Sequence, residues 1–428
     1  MKTKRLLNDC FLHDRDRLSH ADAIALLKSR VLPIINEETI PLDQACGRIA
    51  AATMKAERAI PAHPNSAVDG YAFKAGCRKL DHDLELPVCG RAAAGHPLAD
   101  RPDPGTAVRI FTGAIMPEGL DTVVMQEDVE LADRQGTPVV HIPKGLKGGA
   151  NVRPEGDDVC PGYKLISKSQ MIRPQDLAAL SAMGVANLSC YRPLRIGVLS
   201  TGDEVIRAGA RALKPGEVFD ANAPMLCALA KLAGADVTDL GIWPDDPSTI
   251  SKRLTQAAEL FDVILTSGGA SRGEEDHMLS VLGELGTCHM WQLAIKPGRP
   301  LMFGQIGDAV MVGLPGNPVA VFVCFLMYVF PLLRRLGGAA WPEPRRFHLR
   351  AAFEVPKRKM GRREFWRGHM IESESGLKVE KFAKDGSGII SGLCASNGLI
   401  DVPEDVKAVA RDDLVAFIPF SQFGILDQ

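Results

Sequence analysis

The stretch LRIGVLSTGDE, at residues 194–204, contains the pattern that decides the central fold. An apolar run of strand length passes into Ser200, Thr201 and Gly202, residues that favour a turn at the end of a strand. We predict strands at 194–200, 236–242, 262–266, 290–295, 301–303 and 309–313, and helices at about 223–233, 248–260, 277–285 and 318–330. Strands that alternate with helices predict a largely parallel, doubly wound α/β sheet with helices on both faces.

The segments on either side of the α/β domain have different sequence patterns. Residues 19–32 are predicted to form a helix with Ser19 as its N-cap, whereas residues 55–149 contain short β-like runs separated by Gly and Pro. A helix at 174–183 and a strand at 185–190 are expected to return to the first domain. The predicted domains are a discontinuous N-terminal domain that mediates dimerisation (1–54 and 150–192), an inserted β-rich domain (55–149), the α/β domain (193–335) and a C-terminal β-rich domain (336–428).

Composition excludes several classes of protein. The 428 residues carry a formal net charge of -2, so the sequence has no excess of positive charge of the kind that binds nucleic acid or an anionic membrane. None of the ten cysteines forms a Cys-x-x-Cys pair, so reduced thiols and a cytoplasmic location are expected. The N-terminus lacks the core of a signal peptide. The longest apolar run, 319–330, is expected to stop at Pro331 and to form a buried helix, since roughly 18 to 20 residues are needed to span a bilayer.

Polar residues and glycines follow the strands of the α/β domain. They lie at 200–204, 243–247, 266–276, 295–300 and 314–318. Ligands of doubly wound sheets bind at the carboxyl ends of the strands, where glycine lets backbone N–H groups approach phosphate. Lys296 and Arg299 add donors for an oxyanion, and Glu204, Asp245 and Asp276 offer oxygen ligands for Mg²⁺. These residues together predict a site for a metal-bound phosphorylated substrate, although each residue alone is compatible with a turn, a helix cap or a surface charge.

Several of these segments resemble one known family. The motifs are NSAVDGYA (65–72), RIFTGA (109–114), VMQE (124–127), TGDE (201–204), GGAS (268–271) with Asp276, IKPG (295–298) and LPGNP (314–318). They resemble the molybdopterin molybdenumtransferases, which are similar to the C-terminal domain of gephyrin. The resemblance implies an elongated homodimer of four-domain subunits. It implies a reaction in which adenylylated molybdopterin and molybdate yield AMP and molybdenum bound to the dithiolene, assisted by a divalent metal such as Mg²⁺.

The resemblance also implies roles for individual residues. Those matching catalytic positions are Asp69, Thr112, Glu204, Asp245, Asp276 and Lys296, and three of these, Glu204, Asp245 and Asp276, are the implied metal ligands. The residues predicted to bind substrate are Asp158, Ser200, Thr201, Gly202, Gly268, Gly269, Ser271, Arg272, Arg299, Pro315, Gly316, Asn317, Pro318, Arg367 and Ser387, and two of them, Arg272 and Arg299, depart from the family pattern and are predicted from their charge. Asp69 and Thr112 are expected to face the cleft of the partner subunit. An upstream molybdopterin adenylyltransferase and downstream proteins of molybdoenzyme maturation are expected partners.

The chain departs from the family pattern at Gln292, where a basic residue is usual, and Arg272 is an additional cation that could replace it. This departure keeps open a non-catalytic molybdopterin-binding or scaffold protein of the same fold. A second alternative is a hydrolase that uses Ser271, because residues 269–273 fit the pattern Gly-x-Ser-x-Gly. A third is an adenylyltransferase acting one step earlier, which the domains around the α/β domain disfavour.

Overall fold

The computed structural model describes residues 17–76, 79–268, 277–374 and 376–426. Helix His20–Arg30 begins where the sequence predicts, because the Ser19 hydroxyl accepts a hydrogen bond from the Asp22 backbone N–H at 3.1 Å. The buried side chains of Ala23 and Leu27 anchor this helix to the hydrophobic core of the α/β domain.

A three-stranded sheet joins residues that are distant in the chain. Its strands, in spatial order, are Glu37–Pro41, Asn187–Tyr191 and Ile49–Ala50. Helix Pro174–Ala182 packs beside it, and Leu180 lies in the same apolar cluster as Leu188. Two short antiparallel ladders, Met54–Lys55 with Lys164–Ile166 and Asn65–Ser66 with Val152–Arg153, lie where the chain leaves this part and returns to it. The exact domain boundaries stay predictions.

The residues between these ladders form a β-rich unit. Its six-stranded sheet has the order Thr122–Met125, Gly70–Phe73, Ala107–Ile110, Leu84–Ala92, Thr137–Ile142 and Glu130–Arg134. Alternate side chains fill two apolar clusters, one on each face of the sheet. Gly70 is required in this sheet, because a Cβ atom there would lie 1.8 Å from the backbone oxygen of Val124 on the neighbouring strand.

The α/β domain has a mixed six-stranded sheet. Its order is Asp236–Trp243, Arg195–Thr201, Val263–Ser267, Ala309–Leu314, Pro300–Ile306 and Thr287–Gln292. The first four strands are parallel, as predicted, and the last two are antiparallel to their neighbours. Only Gly307 and Asp308 join the strands at 300–306 and 309–314, a connection too short for a crossover helix. Three helices pack against the sheet: Asn222–Leu232, Pro247–Leu260 and His277–Leu285.

The apolar helix does not stop at Pro331, so that expectation was wrong. Helical structure continues over Pro318–Leu336 through a π-helical turn at Phe325–Val329. In that turn the Phe330 N–H bonds five residues back to Phe325, and the wider turn accommodates the missing N–H and the ring of the proline that follows. Within the described residues, helix Pro318–Leu336 has the length and composition to cross a membrane, but 89% of its apolar stretch is buried inside the protein.

The C-terminal part is a small closed barrel. Its sheet has the order Ile295–Lys296, Arg363–Ser373, Gly376–Lys381, Phe347–Ala351, Leu414–Pro419 and Gly398–Val402, and the last strand also pairs with Arg363–Ser373. The predicted strand at 290–295 is therefore divided. Its first part belongs to the α/β sheet, whereas Ile295–Lys296 pairs in parallel with the barrel. The class α/β plus β is confirmed.

Candidate functional site

One cavity of about 680 Å³ lies between the α/β sheet and the barrel, and we name it the basic cavity. It is lined by Gly268, residues 296–300, residues 315–317, Val319, Ala320, residues 365–367, Lys381, Phe382 and residues 385–387. Eight residues predicted to bind substrate or to act in catalysis meet here: Gly268, Lys296, Arg299, Pro315, Gly316, Asn317, Arg367 and Ser387. Four basic residues, Lys296, Arg299, Arg367 and Lys381, line the cavity. Lys381 is paired with Asp385 at 2.7 Å, and Lys296 and Arg299 provide the cationic donors that an oxyanion requires.

Lys296 is held between the barrel and the cavity. Its ammonium nitrogen lies 3.9 Å from Oε2 of Glu364, a carboxylate that is only 3% exposed. Trp366 Nε1 donates to the same oxygen at 2.8 Å, and Arg362 Nε donates to the other oxygen at 2.9 Å. These two donors fix the orientation of the carboxylate beside Lys296. The Lys296 side chain remains 41% exposed towards the cavity.

The loop after Lys296 is seated on the apolar helix. Gly298 has a φ of +95°, and a Cβ atom there would lie 2.2 Å from Cys324 Sγ. Only glycine tolerates both the backbone conformation and the close approach. Burial raises the pKa of the Cys324 thiol to about 12, so this cysteine is a packing residue at the pH of the cell.

Arg367 has a structural task that its sequence motif did not reveal. Its guanidinium donates to the Lys384 oxygen at 2.6 Å and to the Ile389 oxygen at 2.7 Å, and it lies 5.2 Å from the centre of the Phe382 ring. It thereby brackets the loop that carries Ser387. Burial lowers the pKa of Arg367, although arginine remains charged in proteins.

The backbone of this loop also caps the apolar helix. The Val319 N–H, which has no partner inside the helix, donates to the Ser387 oxygen at 2.9 Å. The barrel and the α/β domain therefore meet through the residues of the site itself.

A second cavity of about 520 Å³, here named the strand-end cavity, adjoins the first. It is lined by Ser200, Thr201, Glu204, Val205, residues 218–222, Ser267, Gly268, residues 316–318 and Ile390. The predicted residues Ser200, Thr201, Glu204 and Pro318 are thus brought together. Gly202 has a φ of +126°, and a Cβ atom there would lie 2.6 Å from Glu204 Oε2. Gly268, Gly316 and Asn317 line both cavities. The two cavities are therefore neighbours across three residues predicted to bind substrate.

Asn222 ties the strand ends together, and sequence reasoning missed it. Its Nδ2 donates to Ser267 Oγ and to the Gly316 oxygen, each at 2.7 Å. The buried Asp220 carboxylate accepts from the backbone N–H groups of Asn222 and Ala223 and thereby caps the helix that follows. The signal available in the sequence was this Asp-x-Asn-Ala-Pro pattern at the start of a predicted helix.

Asp245 does not line either cavity. Its backbone N–H points to Asp203 Oδ1 at 3.5 Å, just before helix Pro247–Leu260. The neighbouring Asp246 caps that helix by accepting from the Thr249 N–H at 2.8 Å, and bonds from Ser248 and Thr249 lower the pKa of Asp246 to about 2. Of the three predicted metal ligands, Glu204 alone is placed on a cavity by the described residues, and those residues contain no group of three His, Cys, Asp or Glu arranged to hold a metal.

Three other predicted residues lie outside both cavities. The half-buried Asp69 and the exposed Thr112 are paired with each other in the β-rich unit, where Thr112 donates to Asp69 Oδ1 from its N–H at 2.8 Å and from its hydroxyl at 2.7 Å. Asp158 is exposed in a turn whose backbone pairs with Ile60. Gln292 is absent from the described lining of both cavities. Gly269, Ser271, Arg272 and Asp276 lie outside the described residues.

Comparisons with known proteins cover nearly the whole chain. The MoeA N-terminal region (domains I and II) matches residues 18–184, a probable molybdopterin binding domain matches 197–335, and the MoeA C-terminal region (domain IV) matches 348–420. The chain is 36% identical over 386 residues to the molybdopterin molybdenumtransferase of Haemophilus influenzae, with 90% of this chain and 94% of the relative covered.

Two further comparisons agree with these. The chain is 32% identical to molybdopterin molybdenumtransferase 2 of Mycobacterium tuberculosis, over 91% of this chain and 96% of the relative. The structure is similar to that of the molybdopterin biosynthesis MoeA protein from Pyrococcus horikoshii, with a TM-score of 0.79 and 27% identity over 94% of this chain and 100% of the other.

Proposed function

The chain belongs to the molybdopterin molybdenumtransferase family, and we propose that it transfers molybdenum from molybdate to adenylylated molybdopterin with release of AMP. One observation supports this proposal above all. A cavity rich in cations adjoins a cavity at the carboxyl ends of the parallel strands, and Gly268, Gly316 and Asn317 line both. A molybdate dianion and the organic substrate can therefore be bound side by side, which is the arrangement that the reaction requires.

The basic cavity is the proposed molybdate site. Lys296 and Arg299 provide cationic donors, while Arg367 keeps the loop with Ser387 in place through the carbonyls of that loop. The buried Glu364 holds the Lys296 ammonium at the cavity wall, so that little reorganisation is needed when the oxyanion enters. In the overall reaction the phosphoanhydride bond to AMP is broken by addition of an oxygen from molybdate or water. The two dithiolene sulfurs displace oxygen ligands of molybdate, which leave as water.

One carboxylate on the strand-end cavity is suited to the Mg²⁺ ion that we propose the reaction requires. Mg²⁺ typically binds through one or two carboxylates together with substrate phosphates and water. The exposed Glu204 carboxylate on the strand-end cavity fits such a metal shared with the substrate, and it would hold the ion beside the adenylyl phosphate. The bound metal would polarise the phosphoryl oxygens. Asp276, the other proposed ligand of this region, lies outside the described residues.

We further propose that the enzyme works as a homodimer. Asp69 and Thr112 match catalytic positions of the family, yet in one subunit they lie apart from both cavities. A second subunit that presents this pair to the cleft would complete the site. An upstream molybdopterin adenylyltransferase and downstream maturation proteins are proposed partners, because the substrate is adenylylated and the product is a cofactor. Free thiols at all eight cysteines that the structure describes support a proposed cytoplasmic location.

A defined assay tests the proposed function. Purified protein is mixed with adenylylated molybdopterin, molybdate and Mg²⁺, and the release of AMP is followed. We expect release that depends on molybdate, and we expect Lys296→Ala to raise the half-saturating molybdate concentration by roughly 10-fold or more, the scale of one charge-assisted hydrogen bond. Lys357→Ala is the matched control, since Lys357 is an exposed lysine outside both cavities. Wild-type protein that binds the substrates but releases no AMP would instead indicate a scaffold.

A further inference from the structure

Among the described residues that line the basic cavity, one has an acidic side chain, and it is Asp385. Its Oδ1 atom accepts a hydrogen bond from the Lys381 ammonium at 2.7 Å, so the two residues form an ion pair. The Lys381 side chain is only 12% exposed, whereas that of Asp385 is 61% exposed. The cation of this pair therefore lies in the wall of the cavity, and the carboxylate is accessible to solvent.

The loop that carries Asp385 does not depend on this ion pair. Arg367 already fixes the loop by donating to the backbone oxygens of Lys384 at 2.6 Å and Ile389 at 2.7 Å. An ion pair with one exposed partner contributes little to the stability of a protein in water. The bond between Lys381 and Asp385 can therefore open while the loop keeps its fold.

Lys381 has further contacts that hold it in place without Asp385. Its ammonium donates to the Phe382 oxygen at 3.2 Å and lies 5.6 Å from the centre of the Trp366 ring. A carbonyl oxygen and an aromatic face attract a cation but do not neutralise its charge. An oxyanion in the cavity can therefore replace the Asp385 carboxylate as the charged partner of Lys381.

The charge of Asp385 also acts on a second cation of the cavity. Burial lowers the pKa of Arg367, and the charge of the nearby Asp385 opposes this effect by raising the pKa. Asp385 therefore reduces the positive potential around both Arg367 and Lys381. Because Coulomb energy is proportional to the product of the charges, the carboxylate opposes the entry of a dianion twice as strongly as that of a monoanion.

From the position of this carboxylate among four basic residues, we propose that Asp385 is an internal counter-anion that limits the affinity of the basic cavity for molybdate. When the oxyanion enters, the carboxylate leaves Lys381, and the ammonium then donates to an oxygen of molybdate together with Lys296 and Arg299. The reverse exchange keeps molybdate from being held too tightly for molybdenum to pass on to the dithiolene.

This inference rests on the proposed function, because it takes the basic cavity as the molybdate site. Its test uses binding as the readout and leaves turnover aside. Calorimetric titrations with sodium molybdate and with sodium perrhenate compare two tetrahedral oxyanions, of which molybdate carries two charges and perrhenate carries one.

The decisive variant is Asp385→Asn, which removes the charge and keeps the size of the side chain. We expect it to bind molybdate about 10-fold and perrhenate about 3-fold more tightly than wild type, since the gain in binding free energy should be proportional to the charge of the anion. Asp412→Asn is the matched control. It opens the ion pair with Lys378, at 2.8 Å on the same barrel and outside both cavities, and should leave both affinities unchanged.

A second variant, Lys381→Gln, removes the other partner of the same ion pair. We expect it to weaken molybdate binding by roughly 10-fold, the scale of one charge-assisted hydrogen bond. The two variants should thus change the affinity in opposite directions. A pair that served only to fix its loop would not give tighter binding on loss of either partner, and thermal unfolding of each variant checks that it is folded.

Two results would overturn the inference. The first is that Asp385→Asn binds molybdate no more tightly than wild type, and the second is an equal gain for molybdate and perrhenate, which would indicate a change of shape and not of charge. Neither result bears on the transfer reaction, which the release of AMP by the wild-type enzyme measures separately. A failure of this inference can thus be told from a failure of the proposed function.

Discussion

The Asp69 carboxylate accepts two hydrogen bonds from Thr112, one from the backbone N–H at 2.8 Å and one from the hydroxyl at 2.7 Å, both to the same oxygen Oδ1. Asp69 directly precedes strand Gly70–Phe73, and Thr112 follows strand Ala107–Ile110. The two residues lie close together because Gly70 pairs with Ile110. These two bonds, the backbone bond first, hold the pKa of Asp69 below its ordinary value. Asp69 is therefore a half-buried, ionised and oriented carboxylate of the β-rich unit.

Thr112→Val tests the second of these bonds. The variant keeps the backbone N–H and removes the hydroxyl, so the pKa of Asp69 should rise but should stay below its ordinary value. Carboxyl ¹³C NMR over a pH titration measures this change. Thr137→Val, at an exposed threonine of the same sheet, is the control and should leave the pKa of Asp69 unaltered. An unchanged pKa in Thr112→Val would contradict the role given to the hydroxyl.

Subunit mixing tests whether Asp69 acts in the cleft of a partner subunit. Asp69→Ala and Glu204→Gln homodimers should each be poorly active. Mixed dimers should recover activity, because one of their two clefts then contains both residues. Release of AMP after subunit exchange is the measurement, with Asp69→Ala mixed with itself as the control. Efficient exchange without recovery would place both residues in the cleft of a single chain.

Arg367→Lys should loosen the loop that carries Ser387. A lysine cannot donate to the oxygens of Lys384 and Ile389 in the fork geometry of a guanidinium. We expect faster proteolytic cleavage within 384–389 and a rise of roughly 10-fold in the half-saturating molybdate concentration, the scale of about 1.4 kcal/mol. Arg350→Lys is the matched control, because Arg350 is an exposed arginine of the same barrel that bonds one carbonyl, that of Asp412. Equal cleavage rates in the two variants would refute the bracketing role of Arg367.

Asp262 should make stability depend on acid pH. Burial by itself raises the pKa of this carboxyl, but the hydrogen bonds from Arg192 and Arg195 together outweigh burial. The net effect lowers the pKa from 3.8 to about 2. A carboxyl whose pKa is lower in the folded protein than in the unfolded chain stabilises the folded state at pH values above its unfolded pKa. This stabilisation is lost as the pH falls through the folded pKa. Asp262→Asn should therefore cost about 2 kcal/mol at neutral pH, and the difference from wild type should shrink between about pH 4 and pH 2.

Urea unfolding followed by tryptophan fluorescence measures this difference across the pH range. The control is Asp308→Asn, at an exposed aspartate in the turn between two strands of the same sheet. A constant difference between Asp262→Asn and wild type over the whole pH range would show that packing, and not ionisation, is responsible.

The sequence by itself determined the elements that depend on local chemistry. The Ser19 cap, the first strand of the α/β domain (predicted at 194–200 and found at Arg195–Thr201) and the glycine-bearing strand ends follow from side-chain hydrogen bonding and from hydrophobic period. The convergence of the strand ends followed from topology, because parallel strands place their carboxyl ends at one edge. The motifs also indicated the family correctly.

Only the tertiary structure decided what depends on contacts between distant segments. Lys296 belongs to a barrel strand, because backbone pairing of Ile295–Lys296 with Arg363–Ser373 joins parts of the chain that no local pattern connects. Arg367 donates to the backbone of a loop, and Asn222 joins the ends of two strands through Ser267 and Gly316. These partners are set by proximity in space and not by spacing along the chain. The helix passes Pro331 because burial on nearly all sides outweighs the helix-breaking preference of one proline.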